Sequence, residues 1–182
     1  MSTTDTDLAA DIDATCRLTG EFTLRSGQVS SEYFDKYLFE ADPLLLARVA
    51  REVAQLLPHD TELLGGLEMG GIPIATAVSQ LVGLPCLFVR KKAKEYGTAK
   101  LAEGRDFAGK RITLIEDVIT TGGAVRDATR ELRAAGGIVE TVVCAIDRSP
   151  EDVNPLADVD LEIRPVLTKA ELDLARAEAQ AG

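Results

Sequence analysis

The stretch Arg111–Ala128, RITLIEDVITTGGAVRDA, reads as a strand, a loop and the start of a helix. An apolar run ends on two adjacent carboxylates, Glu116 and Asp117, and Val118 and Ile119 lead into the hydroxyls of Thr120 and Thr121 and the pair Gly122 and Gly123. The β-branched run suits a buried parallel strand. Val125, Thr129, Leu132 and Ala135 then recur on one side of a helix that ends at Gly136. Between them, successive backbone N–H groups from Thr121 to Ala124 sit where the helix begins, a natural seat for a phosphate. The loop is neither a Walker loop nor a dinucleotide fingerprint, because the chain holds no GxxxxGK[ST] and no GxGxxG after a strand. A neutral phosphate cradle preceded by two acids fits a phosphorylated sugar, with Glu116 and Asp117 accepting hydrogen bonds from its hydroxyls. Taken alone, the same stretch also reads as solvated strand-end acids before a glycine turn.

The pattern around this stretch repeats its logic. Strands are expected at ELLGGLE, PCLFVRK and IVETVVCAIDR, with helices at GIPIATAVSQLVG and at DPLLLARVAREVAQLLP. In the latter, Asp42 caps, Pro43 suits the first turn, Leu45, Val49, Val53 and Leu56 share a face, and Pro58 stops the helix. Near the N-terminus LAADIDATCRL reads as a short helix, and EFTLRSG with SEYFDKYLF as a hairpin or an irregular hood. EIRPVLT is a possible edge strand, followed by a capping box, Thr168 facing Glu171, that opens a last helix. Alternating strands and helices predict an α/β fold: a mostly parallel sheet with helices on both faces, and ligands at the carboxyl ends of the strands. Glu68, Arg90, Glu116, Asp117, Asp147 and Arg148 all fall at such ends and are expected to line one rim. KKAKEYGTAKLAEGRDFAGK shows no convincing packing pattern and reads as a lid or binding loop.

A chain of 182 residues, 46% hydrophobic, is long enough for one α/β domain with a sizeable core and too short for two enzyme domains. No apolar run approaches the roughly 20 residues that span a bilayer, and the acidic start MSTTDTDLAADIDA is unlike a signal peptide. A soluble, cytoplasmic protein is expected. Cys16, Cys86 and Cys144 are scattered without a CxxC pair and read as buried free thiols. A net charge of −10 argues against general nucleic-acid binding. Residues 90–111, however, carry eight cations and three anions, leaving a net charge of −15 on the remainder. A basic island in an acidic chain points to a small anionic ligand.

LIEDVITTGGAV resembles the signature of the type I phosphoribosyltransferases, which bind 5-phosphoribosyl 1-diphosphate. GEFTLRSGQVSSEYFD, GGIPIATAV, VRKKAKEYG and AIDR resemble, in order and spacing, segments of the orotate branch of that family, over roughly residues 20–148. The resemblance implies one domain over residues 1–182, a small N-terminal hood within about 1–40 and a lid at about 90–108. It implies transfer of the phosphoribosyl group to orotate, giving orotidine 5′-monophosphate and diphosphate in UMP synthesis. Magnesium would be carried by the diphosphate substrate without direct protein ligands. A homodimer is also implied, with Lys91 reaching the neighbouring site.

For the diphosphate substrate the matching positions are Arg90, Lys91, Lys94 and Tyr96 in the lid. Glu116, Asp117, Val118, Ile119, Thr120, Thr121, Gly122, Gly123 and Ala124 match in the phosphate loop. For orotate they are Arg25, Phe34, Asp35, Thr120 and Arg148, where an arginine fork suits the orotate carboxylate. Lys94 and Asp117 are the implied catalytic residues, Lys94 stabilising the departing diphosphate. Three positions depart from a common bacterial pattern: Arg25 stands for a lysine and keeps its charge, Gly70 stands for a lysine and supplies none, and Tyr96 stands for a histidine. His59 lies in an expected turn away from these motifs and receives no role. A purine phosphoribosyltransferase, or a regulator that senses the phosphoribosyl donor, would share the phosphate loop and remains an alternative reading.

Overall fold

The computed structural model describes residues 6–23, 27–91, 101–150 and 152–181. The chain opens with α1 (Thr6–Cys16), then β1 (Arg17–Thr23) and β2 (Val29–Phe34), which pair antiparallel as a two-stranded sheet of their own. Of the two readings of the hood, the hairpin is the one observed, with Arg17 and Leu18 in its first strand instead of the helix before it, and residues 37–39 in a helix instead of its second strand. A short helix α2 (Tyr37–Ala41) leads to α3 (Pro43–Leu56). The Asp42 carboxylate accepts from the N–H groups of Leu44 and Leu45 at 2.8 and 3.0 Å, satisfying two donors that the first helical turn leaves open.

From there strands and helices alternate: β3 (Leu63–Leu67), α4 (Gly71–Val82), β4 (Cys86–Val89), β5 (Ala102–Gly104), β6 (Arg111–Ile119), α5 (Gly123–Ala134), β7 (Ile138–Asp147), β8 (Glu162–Thr168) and α6 (Lys169–Ala181). The six strands of the main sheet run in the order β5-β4-β3-β6-β7-β8. All neighbours are parallel except β5, which runs antiparallel along β4. β6 therefore lies inside the sheet, between β3 and β7, and its residues from Ile112 to Asp117 are buried.

The sheet separates two apolar layers. On one face Leu8 and Ile12 of α1, Val49 and Val53 of α3, Ile74 and Val78 of α4 and Leu172 of α6 meet Ile115 and Val143. On the other, Val125, Ala128 and Leu132 of α5, with Leu156, meet Leu114, Val142 and Cys144. Burying a large aliphatic side chain stabilises by about 1.5–3 kcal/mol, so these two layers hold the sheet flat against its helices. Because α1 lies in the first layer, the N-terminal segment is more than a hood. Thr168 and Glu171 form the expected capping box, with Thr168 N–H donating to Glu171 Oε2 at 2.7 Å and Glu171 N–H to Thr168 Oγ1 at 3.3 Å. Cys16 and Cys144 are buried and Cys86 is half-buried, all as free thiols. Burial chiefly pushes the Cys16 thiol up to about 11, which suits packing and not redox chemistry.

Three expectations need correction. β6 does not end on Glu116 and Asp117 but continues through Val118 and Ile119, which pair with Ile146 and Asp147. An acid within a buried strand is tolerated here because Asp117 finds a cation, as described below. Part of the segment read as unpacked is structured: Leu101 and Phe107 pack against the second layer, and β5 closes the sheet edge. Ala128 and not Ala135 completes the buried side of α5, since Ala135 already caps the helix, its N–H donating to Glu131 O at 3.0 Å.

Candidate active site

The carboxyl ends of β3, β4, β6 and β7 face one rim, and the loop after β6 is its centre. Thr120 and Thr121 are exposed, and Gly122 adopts φ +67°, the left-handed turn that lets α5 start at Gly123. Any side chain at Gly122 would also meet Leu156, whose methyl carbon lies 2.6 Å from the position a Cβ would take. The loop thus leans on a buried leucine. Arg126, one turn into α5, ties it further: its Nε lies 2.9 Å from the carboxylate of Asp158, and its Nη2 reaches Thr121 O at 3.5 Å.

A cavity of about 250 Å³ opens above this loop. Glu116, Val118, Ile119, Thr120, Thr121, Gly122, Gly123 and Ala124 line it, together with Lys91 across the gap. Asp117 lies beneath, without solvent exposure. Its Oδ1 accepts from Val118 N–H at 2.5 Å, and its Oδ2 forms an ion pair with Lys36 Nζ at 2.5 Å. Glu116 is 8% exposed. Burial first, and the neighbouring Asp117 second, raise the Glu116 carboxyl well above the usual range. Burial opposes ionisation of Asp117 too, but hydrogen bonding with Glu116 and the Lys36 ammonium outweigh it and hold Asp117 below its usual value. The environment thus pushes the two adjacent acids in opposite directions.

Arg90 and Lys91 follow β4 at the mouth of a second, larger cavity of about 840 Å³, also lined by Glu68, Ala124 and Glu131. Arg90 pairs with Glu103 of the β5 segment at 3.7 Å, and its N–H donates to Leu101 O at 2.9 Å. Two of the positions expected to meet orotate, Phe34 and Arg148, come together where β7 ends. Arg148 N–H donates to Ile119 O at 2.7 Å, and the Arg148 guanidinium stacks over the Phe34 ring at 5.4 Å. Asp35 turns its carboxylate back to Tyr37 N–H at 3.1 Å. Arg25, Lys94 and Tyr96 lie outside the described residues.

Glu68, expected on the rim, lines the smaller cavity beside Met69, whereas sequence reasoning missed the residues that approach from the hood: Lys36 and Tyr37 also line that cavity, and Glu40 lies against Asp117. Neither Lys36 nor Glu40 stands in a motif. The one available signal is their spacing, since Lys36 and Glu40 stand four residues apart, as a charge pair on one helix face would.

The family profile described as a phosphoribosyl transferase domain matches residues 40–164. An orotate phosphoribosyltransferase of Nocardioides sp. is 76% identical over 174 residues, 96% of this chain and 97% of the relative. The chain belongs to the orotate phosphoribosyltransferase family. The crystal structure of orotate phosphoribosyltransferase from Mycobacterium tuberculosis in complex with Fe(III) dicitrate superposes with a TM-score of 0.80 at 29% identity, covering 93% of this chain and 98% of that one. The same mycobacterial enzyme in complex with 5-phospho-α-D-ribosyl 1-diphosphate gives 0.75 at 27% identity, with 93% and 99% covered. Within this family fold, the phosphate loop, the Asp117 ion pair and the Arg148–Phe34 stack share one rim.

Proposed function

We propose that this chain transfers the 5-phosphoribosyl group of 5-phosphoribosyl 1-diphosphate to orotate, forming orotidine 5′-monophosphate and diphosphate in pyrimidine nucleotide synthesis. The observation that carries the reading is the shared rim: a helix N-terminus built for phosphate beside an arginine stacked on Phe34. The 5-phosphate would rest on the N–H groups of residues 121–124, where α5 begins. Glu116 would meet the ribose hydroxyls from the cavity floor, while Arg148 pairs with the orotate carboxylate. Displacement at the anomeric carbon builds positive charge on the ribose and negative charge on the leaving diphosphate. The chain's task is thus positioning and charge placement in a water-poor site. Orotate arrives as an anion, so no strong base is required. Lys94, Arg90 and Lys91 are the cations assigned to the leaving diphosphate, and Tyr96 an uncharged donor beside them.

Among the described residues no group of three or more His, Cys, Asp or Glu side chains is arranged to hold a metal ion. A magnesium ion would be carried on the phosphate and ribose oxygens of the substrate, where it would neutralise diphosphate charge. We also infer a homodimer in which Lys91, exposed at the edge of both cavities, serves the neighbouring site. The reaction is assigned to the cytoplasm, where its charged, membrane-impermeant substrates would be held. No described helix is long and apolar enough to cross a membrane.

The test is an absorbance assay of orotate consumption that depends on added 5-phosphoribosyl 1-diphosphate, with adenine, guanine, hypoxanthine and uracil as competing acceptors. Turnover of orotate alone supports the reading. Turnover of a purine, or of none of the five, overturns it.

A further inference from the structure

The hood contributes one group that the functional reading above leaves without a task. Lys36 follows β2, and its ammonium enters the cavity above the phosphate loop, 2.5 Å from Asp117 Oδ2. Its side chain keeps a relative exposure of 33%, so the group is held from below and still reachable from the cavity. Three acids surround it: Asp117 without exposure, Glu116 and Glu40 each at 8%. Glu40 presents a buried Oε1 with no hydrogen-bond partner.

The opposite wall explains how the lysine is seated. Gly70 ends the turn before α4, and a Cβ placed on it would fall 1.8 Å from Asp117 Oδ2 and 2.6 Å from Glu40 Oε1. Those distances are far inside van der Waals contact, so the carboxylate oxygens occupy the space that a side chain at position 70 would need. The missing side chain and the lysine are two parts of one arrangement: Gly70 makes room for Asp117, and Asp117 anchors Lys36.

Resting on the proposed phosphoribosyl transfer, we propose that Lys36 is a substrate-contacting cation for the diphosphate end of 5-phosphoribosyl 1-diphosphate, anchored by Asp117 in the space that Gly70 leaves open. Two points favour that end over the 5-phosphate. In the functional reading the 5-phosphate already has the backbone N–H groups of the loop after β6. Lys36 instead shares its cavity wall with Glu68 and Met69, next to Gly70, and faces Lys91 at the end of β4. An ammonium is a compact point charge suited to phosphate oxygens that move as a bond breaks. Its anchor also matters for balance, because the Lys36 ammonium offsets the Asp117 carboxylate beneath the cavity.

The experiment is a set of calorimetric titrations with magnesium on the intact protein, using 5-phosphoribosyl 1-diphosphate, inorganic diphosphate and ribose 5-phosphate as separate probes. For Lys36→Met we expect at least about tenfold weaker binding of the first two probes, with ribose 5-phosphate unchanged within about twofold. Retained ribose 5-phosphate binding also reports that the variant is folded. Lys36→Arg should recover most of the lost affinity, and Gly70→Ala should mimic Lys36→Met by displacing Asp117. Equal loss of all three probes would show a structural role only, and loss of none would show that Lys36 does not meet the ligand; either result overturns the proposal. If wild-type protein consumes orotate while Lys36→Met binds diphosphate normally, the inference about Lys36 fails alone. If wild-type protein binds none of the probes, the functional reading fails with it.

Discussion

The two ends of the central sheet both carry clustered charges, and the clusters behave differently. At the amino end of β6, Lys110 pairs with Glu62 at 2.9 Å, while Arg111 reaches Asp60 at 3.2 Å and Glu140 at 2.5 Å. Every one of these side chains is between 42 and 66% exposed. At the carboxyl end the corresponding cluster, Lys36, Glu40, Glu116 and Asp117, is largely buried, and protons are redistributed among its members. Water screens the first cluster, whereas in the second each charge is felt by its neighbours. A sheet can thus carry charged clusters at both ends with only one of them set apart from water. Burial, not charge count, distinguishes them.

The largest effect that would sharpen this contrast is expected from Asp117→Asn. It keeps the shape of the side chain but leaves the Lys36 ammonium without its counter-charge. Breaking a fully buried pair costs about 3–5 kcal/mol, and partial exposure of Lys36 lowers this to about 2–3 kcal/mol. For a chain of this size that is a fall in Tm of roughly 4–12 °C, read by calorimetry. An unchanged Tm would mean that the lysine swings into water, and that the carboxyl-end cluster is no more confined than the other.

Arg148→Ala is expected to act on binding with little effect on the fold. Orotate affinity should fall by about tenfold or more, as for loss of a charged fork, worth about 1.4 kcal/mol. Affinity for 5-phosphoribosyl 1-diphosphate should be largely kept. Titrations showing the reverse would move Arg148 out of the orotate site.

Glu40→Gln tests the redistribution of protons directly. Burial first, and then Asp117, push the Glu40 carboxyl from its ordinary value near 4.5 up to about 8. Between those two values the folded chain holds a proton that the unfolded chain has released. Stability therefore decreases as pH rises through this window and levels off above it. Glutamine cannot ionise, so the variant should lose that slope and exceed the wild type in urea midpoint at pH 8 and above. Parallel midpoint curves for the two proteins would show that Glu40 ionises freely.

Much of this site was legible in the sequence because its parts are local. The strand, the loop and the first turn of α5 lie in one stretch, and the periodicity of Val125 and Leu132 alone predicts which side of α5 is buried. Asp42 and Thr168 announce their helices through side-chain chemistry that acts within three residues. What was not legible depends on distant partners. Lys36 and Asp117 are separated by most of the sheet's first half, so nothing near either residue marks the pair. The same holds for Gly70, whose role is the space it leaves for Asp117 and Glu40. The continuation of β6 through Asp117 was missed for that reason: a buried carboxylate reads as a strand end until its cation is found. The segment around Ala102 was missed on other grounds, since a three-residue edge strand is too short to show a period.

The smallest effect, and the one that closes the contrast from the other side, is expected from Glu62→Gln. Glu62 accepts from Arg111 N–H at 3.0 Å and from Lys110 Nζ at 2.9 Å, and these two contacts, in that order, hold its carboxyl below the usual value. A lowered value means that the contribution is present above the ordinary glutamate range and lost as acid protonates the group in the folded chain. Because the residue is solvated, glutamine can keep the backbone hydrogen bond while losing only a screened charge. Tm should fall slightly at low ionic strength and match the wild type in molar salt, where the screening length shrinks to about 3 Å. Orotate turnover should be unaffected, since this end of the sheet lies opposite the phosphate loop. A salt-resistant fall in Tm comparable to that of Asp117→Asn would mean that exposure does not separate the two clusters, and the distinction between the ends of β6 would have to rest on geometry alone.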